Sequence, residues 1–391
     1  MIKRELEEEF QKCLHEYPAV LLTGPRQAGK TTLAKAICGD KQYFSFEDPL
    51  LRIQFQEDPR QFLVNCSEGA VFDEAQHVPE LFSYLQGIID ETSDCGRFVI
   101  TGSQQFGLME KVTQSLAGRI AVLELLPFST TELKSAGQLS PSIDEALWTG
   151  AYPPIYDRQL RPDRWYSNYV TTYVQRDVRQ VSQIHNLDQF ARFMQLCAAN
   201  VGQLFNASRI ASDCSLSQKT VNNWLSILKA GFIATTVTPY HTNYRKRLVK
   251  TPKLYFFDTG LVCHLLGISN ISQLASHPLR GAIFENWVFT ELSKYIRHRQ
   301  PLGQLYFWRT VGGQEVDFLL ESGGRTLGIE VKSGMSILPK SLRSLQNAMA
   351  LWPTQQSQKA VIYGGSDRLH FSGCDIIPWN QVLQLFQTIS V

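Results

Sequence analysis

Residues 24–31 read Gly24-Pro25-Arg26-Gln27-Ala28-Gly29-Lys30-Thr31, a G-x4-G-K-T pattern that can wrap phosphate. The apolar run Ala19-Val20-Leu21-Leu22 precedes it, and the helical pattern Thr32-Leu33-Ala34-Lys35-Ala36-Ile37 follows. A strand, a glycine turn and a helix N-terminus in that order aim several backbone N–H groups at one point, a site suited to a triphosphate. Lys30 would reach the β- and γ-phosphates of ATP, and the Thr31 hydroxyl would bind Mg²⁺. A second apolar strand, Ala70-Val71-Phe72, ends in Asp73-Glu74. Asp73 would hold Mg²⁺ opposite Thr31, and Glu74 would polarise the attacking water as general base. The strand Arg97-Phe98-Val99-Ile100 runs into Thr101-Gly102-Ser103-Gln104, where Ser103 or Gln104 is placed to sense a γ-phosphate.

A second constellation lies near the C-terminus. Asp317 is followed by Glu330-Val331-Lys332, spaced as D-x12-E-x-K. Period 2 puts Glu330 and Lys332 on one face of one strand, with Asp317 near the start of an antiparallel neighbour. Two carboxylates and the Ile329 or Val331 carbonyl are hard oxygen ligands for Mg²⁺, and Glu285 on a preceding helix would add a third carboxylate. Lys332 would orient or deprotonate a water. The same cluster has a second reading, in which Lys332 settles the charge of the carboxylates without any metal.

Elements must position these groups. Strands alternating with helical segments through residue 126 indicate a parallel, doubly wound α/β sheet, with a fifth strand from Arg119 to Leu126. Residues 158 to 179 read as a basic helical stretch with Arg158, Arg161, Arg164, Arg176 and Arg179. Asn206 to Phe232 reads as helix–turn–helix, with Ser217 capping the second helix and Val221, Trp224, Leu225 and Leu228 on its apolar face. A strand from Phe232 to Tyr240, a loop with Arg245-Lys246-Arg247 and Lys250, and a strand from Lys253 to Phe257 make a β-wing. Lys219, Asn222 and Asn223 on the outer face would meet DNA, with the wing on the backbone. Packing against a protein is the other use of such a module. Beyond it, a helix from Gly281 to Ile296, strands at 304–308, 315–320 and 327–332, a helix from about Pro339 to Leu351 and a strand from Lys359 to Tyr363 give an α-β-β-β-α-β order.

The segments from Gly24 to Thr32, Phe72-Asp73-Glu74-Ala75-Gln76, Ile100-Thr101-Gly102-Ser103 and Ser115-Leu116-Ala117-Gly118-Arg119 together resemble a group of prokaryotic AAA+-like ATPases. Those proteins carry a C-terminal domain of unknown function, and the resemblance spans nearly the whole chain. It implies a sensor strand between the P-loop and Asp73 strands, and nucleotide contact by Gly24, Pro25, Arg26, Gln27, Ala28, Gly29, Lys30, Thr31, Thr32, Asp73 and Ser103. It makes Arg119 a candidate for γ-phosphate contact, in cis or from a neighbouring subunit, against the alternative of a plain surface arginine. Arg176 is a second candidate nucleotide sensor, or else an ion-pair partner of Asp177. Ring formation among such relatives implies a homo-oligomer, formed either constitutively or only with ATP. The D-x12-E-x-K segment and its element order resemble the PD-(D/E)xK phosphodiesterase superfamily, although Val316 stands where the superfamily name has proline. That resemblance implies a metal-dependent nuclease site or a degenerate fold kept for binding.

Composition bounds the rest. The chain has 391 residues, 43% hydrophobic and 19% charged, with a net charge of +2, so a DNA partner must be read by a local patch. Eight scattered cysteines without C-x2-C pairs disfavour zinc and suit a reducing cytoplasm. No apolar run reaches membrane-span length. Met1 to Phe10 reads as a charged amphipathic helix, not a signal peptide. Three parts are expected: an ATPase domain over 1–150, a helical and winged-helix middle over 151–270, and a nuclease-like end over 271–391. ATP hydrolysis coupled to DNA binding or processing is the reading. A nucleotide-dependent regulatory switch, acting through protein partners with an inactive nuclease-like fold, is the alternative.

Overall fold

The computed structural model describes the chain except residues 67, 92–93, 104–114, 175–177, 179–183, 185, 241–250, 300–302, 311–313, 323–324, 338–341, 343–344, 348, 350–356 and 389–391. Gln104, Arg176, Asp177, Arg179 and the wing cations Arg245, Lys246, Arg247 and Lys250 therefore lie outside the described residues. The chain divides into two compact units. One holds Met1–Phe128 with residues 230–232 and 297–299, and the other holds the remainder.

The first unit is built on five strands: β1 (Ala19–Thr23), β2 (Gln42–Ser45), β3 (Ala70–Asp73), β4 (Phe98–Thr101) and β5 (Ile120–Glu124). All pairings are parallel, in the order β2-β3-β4-β1-β5. The sensor strand β4 thus lies between the P-loop strand β1 and the Asp73 strand β3. Every residue of β1, β3 and β4 is buried, which is why they read as unbroken apolar runs rather than alternations. The two-residue period still sorts their side chains. Ala19, Leu21, Phe72, Phe98 and Ile100 join one core, with Phe55, Phe82 and Leu85 from helices α3 (Pro49–Glu57) and α5 (Leu81–Glu91). Val20, Leu22, Val71 and Val99 join the other, with Phe10 and Leu33 from α1 (Glu7–Glu16) and α2 (Lys30–Ile37). A fourth helix of this unit, α4, spans Pro59–Val64.

The expected helix at the very N-terminus is corrected. Met1 to Arg4 are not helical, and α1 begins at Glu7 with three glutamates in its first turn, where the positive helix end favours them. The helical stretch expected over 158–179 is corrected at its start, and its end lies partly outside the described residues. Helices span Pro153–Asp157 and Pro162–Tyr173, because Pro162 cannot continue a helix but fits its first turn.

The second unit contains the helix pair α6 (Ala207–Cys214) and α7 (Gln218–Ala230), joined by a turn with Ser215 at φ 55°. The Ser217 hydroxyl accepts from the Thr220 N–H at 3.0 Å, capping α7. A two-stranded antiparallel hairpin follows, β6 (Ala234–Val237) and β7 (Lys253–Phe256), in the register Ala234↔Phe256 and Val237↔Lys253. The long helix α8 (Arg280–Arg299) leads into six strands: β8 (Gly303–Arg309), β9 (Glu315–Ser322), β10 (Arg325–Lys332), β11 (Ser357–Tyr363), β12 (Leu369–Phe371) and β13 (Cys374–Pro378). Their order is β12-β13-β11-β10-β9-β8, with β10, β11 and β13 mutually parallel. The β12–β13 pair extends the expected element order by two strands. The helix expected from 339 to 351 falls largely outside the described residues, though Leu342, Leu345 and Met349 are buried in the sheet's core.

Candidate functional site

The loop after β1 has the backbone that phosphate binding requires. Gly24 has φ 142°, and a Cβ there would lie 2.2 Å from the Leu125 carbonyl oxygen, so only glycine fits. Gln27 and Gly29 also take positive φ, 64° and 95°, turning the chain into α2. The Lys30 ammonium, 6% exposed, donates to the Gly24 and Pro25 carbonyls at 3.1 and 2.9 Å. Behind the loop, the buried Arg4 guanidinium donates to the Ala28 carbonyl at 2.7 Å and the Leu126 carbonyl at 2.5 Å. It also lies 4.8 Å from the Phe128 ring centre. This tie between loop and N-terminus was invisible in sequence, where Arg4 read as part of a charged helix face.

β3 delivers Asp73 to the same point. Thr31 Oγ1 lies 3.0 and 3.1 Å from the two Asp73 carboxylate oxygens. The carboxylate also accepts from the Tyr43 hydroxyl at 2.5 Å and from the Thr101 hydroxyl on β4. Burial, then the hydrogen bond to Asp73, pushes the Tyr43 phenol well above its ordinary pKa, so it remains a donor. Neither Tyr43 nor Thr101 was singled out in sequence. The next residue, Glu74, sits in the left-handed region at φ 55° and ψ 44°, a strained conformation for a non-glycine. Its carboxylate accepts from the Gln76 side-chain amide. Ser103 is 7% exposed, and its Oγ has no hydrogen-bond partner among the described residues. A hydroxyl and a carboxylate side by side are a hard-oxygen donor set, and the orphaned buried hydroxyl of Ser103, two residues beyond Thr101, leaves room for one more acceptor.

Arg119 is placed elsewhere. Ala19 pairs with Ile120 and Thr23 with Glu124, so Arg119 sits at the end of the sheet opposite the P-loop. Four residues of strand, roughly 13 Å, separate the two ends. The cis form of the γ-phosphate expectation is thereby corrected, since Arg119 does not reach the loop of its own chain. It instead forms an exposed pair with Asp90, with Nε 2.5 Å from Oδ1.

In the second unit the expected residues are held by separate partners, one of them unexpected, and no three of their carboxylates bring oxygens within 4.8 Å of one another. The Lys332 ammonium donates to Glu330 Oε1 at 2.6 Å, and the Val331 N–H donates to Asp317 Oδ2 at 2.8 Å. Glu285 on α8 accepts from the Tyr255 hydroxyl at 2.6 Å and from the Lys253 ammonium at 3.0 Å, both on β7. Lys253 also lies 2.5 Å from Glu315 Oε1. Burial, reinforced by the charge of Asp317, pushes Glu285 and Glu330 up to about 7. Burial raises Asp317 as well. Burial works against the charge on Lys253, but Glu285, Asp317 and Glu315 outweigh it and raise its pKa. Lys253 was read only as the first residue of a strand. On α7, Lys219, Asn222 and Asn223 are exposed while Val221, Trp224, Leu225 and Leu228 are buried.

Comparison with known proteins assigns the first unit to a family. Residues 16–134 match the family model described as AAA domain. Residues 140–272 and 280–382 match two domains of unknown function, DUF8612 and DUF4143. The first unit is therefore an AAA-type P-loop ATPase domain, a nucleotide-binding fold. The chain belongs to the family of the uncharacterised protein Rv2008c of Mycobacterium tuberculosis, to which it is 32% identical over 387 residues, covering 97% of this chain and 84% of that one. The uncharacterised protein Mb2031c of Mycobacterium bovis matches with the same identity and coverage. Among solved structures, the Walker-type ATPase PABY2304 of Pyrococcus abyssi has a TM-score of 0.46 at 15% identity, covering 68% of this chain and 96% of that one. The RuvB Holliday junction branch migration motor of Thermotoga maritima has a TM-score of 0.33 at 19% identity, covering 61% and 90%. At these scores neither likeness bears on function. Among the described residues, no helix is long and apolar enough to cross a membrane.

Proposed function

We propose that the chain hydrolyses ATP with Mg²⁺ in its first unit and that the nucleotide state governs contact between its second unit and DNA. The observation that carries the hydrolytic part is the Thr31 hydroxyl 3.0 Å from the Asp73 carboxylate at the mouth of the P-loop. The pair would hold Mg²⁺, which supplies charge neutralisation between the β- and γ-phosphates when bound. Lys30 would exchange the Gly24 and Pro25 carbonyls for phosphate oxygens. The Gly24–Thr32 backbone would orient the phosphates, and Glu74 would accept a proton from the attacking water. Ser103, with its unpartnered buried hydroxyl, would donate to the γ-phosphate or the water.

The DNA part rests on Lys219, Asn222 and Asn223, exposed together on α7. The test couples two measurements on the purified full chain: phosphate release with and without Mg²⁺, and duplex binding with and without ATP. Mg²⁺-dependent release lost in Lys30→Ala supports hydrolysis, and release unchanged in Lys30→Ala rejects it. Absence of binding to any duplex or single strand at low salt rejects DNA. A second reading, a regulatory switch that acts through protein partners without cutting phosphodiesters, is favoured by the Lys253 ammonium among the C-terminal carboxylates. DNA-free activity that responds only to a protein partner would support it.

A further inference from the structure

The nuclease resemblance implies a divalent cation held by Asp317, Glu330 and Glu285. The residues present do not fit one. Glu285 Oε1 is engaged by Lys253 and Tyr255, Asp317 Oδ2 by the Val331 N–H, and Glu330 Oε1 by Lys332. Each carboxylate keeps a second oxygen, that of Glu330 buried and without a hydrogen-bond partner, but no three of these side chains bring oxygens within 4.8 Å of one another, whereas Mg²⁺ requires near-octahedral oxygen coordination at close range.

The cation is already supplied by the chain. The Lys253 side chain is 5% exposed and lies 3.0 Å from Glu285 Oε1 and 2.5 Å from Glu315 Oε1. These are charge-assisted hydrogen-bond distances, and a lysine so buried is tolerated only when paired. Its backbone is fixed on both sides. Lys253 pairs with Val237 of β6 on one side. On the other, the Phe205 N–H donates to the Pro252 carbonyl at 2.8 Å and the Leu254 N–H to the Gln203 carbonyl at 2.9 Å. Solvent reaches the cluster from the Lys253 side. A cavity of about 440 Å³, lined by Arg209, Lys253, Glu285, Arg309 and Glu315 among others, reaches the Lys253 end of the cluster, while Asp317 and Glu330 do not line it. An ion entering it would meet an ammonium rather than a free set of carboxylates.

We propose that Lys253 is a tethered cation that takes the place of the divalent metal in the C-terminal domain: paired with Glu285 and Glu315 it fastens β7 to α8 and β9, and the Asp317–Glu330–Glu285 cluster does not bind metal. This is independent of ATP hydrolysis in the first unit, and either reading can fail alone.

Mn²⁺ uptake by the nucleotide-free full chain, followed by the electron paramagnetic resonance of the free ion, tests it. Uptake by the wild-type chain should be unchanged by Asp317→Asn. Lys253→Met should gain one bound Mn²⁺ per chain, and that ion should be lost again when Asp317→Asn is added. Dependence on Asp317 separates this ion from any held near Thr31 and Asp73. Wild-type uptake that disappears in Asp317→Asn overturns the proposal, as does a folded Lys253→Met that gains no ion. If Lys253→Met does not fold, Lys253→Gln keeps a hydrogen-bonding amide without the charge. The wild-type comparison decides without either variant.

Discussion

At the scale of single residues, the ATPase site separates binding from chemistry. Lys30 points its charge into the phosphate loop, so Lys30→Ala should abolish measurable nucleotide binding, read with a fluorescent ATP analogue. Glu74 follows Asp73 in a left-handed conformation, and its carboxylate accepts from the Gln76 side chain. Glu74→Gln should retain binding and lower turnover by roughly 10²–10⁴-fold, the range of a general base. Turnover that falls no further in Glu74→Gln than in a surface control would remove that role from Glu74. Three hydroxyls, from Thr31, Tyr43 and Thr101, converge on Asp73. They explain how a carboxylate 4% exposed is tolerated before any cation arrives.

At the scale of elements, the phosphate loop and helix α7 make separable predictions. Gly24 abuts the Leu125 carbonyl oxygen, so Gly24→Ala would force both a forbidden φ and a backbone clash. It should destabilise the first unit by about 1–3 kcal/mol or more and weaken nucleotide binding with it, measured by chemical denaturation and nucleotide titration. A variant as stable and as tight-binding as the wild type would contradict the loop geometry. If α7 meets DNA through Lys219, affinity must fall with salt as counterions return to the phosphates. Lys219→Ala should reduce the slope of log affinity against log salt by about one, measured by fluorescence anisotropy. An unchanged slope would take Lys219 off the interface.

At the scale of the whole molecule, the position of Arg119 bears on assembly. It lies at the end of the sheet away from its own P-loop and pairs with Asp90 at the surface. If it contacts nucleotide at all, the contact is made on a second copy. ATP turnover per chain should then rise with protein concentration, and Arg119→Ala should flatten that rise. Mixing Arg119→Ala with Lys30→Ala chains should restore part of the activity, because each supplies what the other lacks. Turnover independent of concentration in both proteins, with a monomeric mass by light scattering in a slowly hydrolysed ATP analogue, would leave Arg119 a surface arginine.

The first unit was largely legible because its chemistry is local. Gly24 to Thr31 encode a loop whose glycines set the turn, and unbroken apolar runs announced β1, β3 and β4. Asp73 and Glu74 were found because a buried strand ended in two acids. Arg4 and Tyr43 were not found, since their partners lie far along the chain and no spacing records such a meeting. In the second unit, period 2 placed Glu330 and Lys332 on one face, and the pairing of β9 with β10 brought Asp317 alongside. The residue that changes the meaning of the cluster, Lys253, arrives from a hairpin more than sixty residues earlier in the sequence. Sequence alone determined which groups carry charge and which strands are buried. Only the tertiary structure decided which cation meets the carboxylates, because that depends on which distant strand is packed against them.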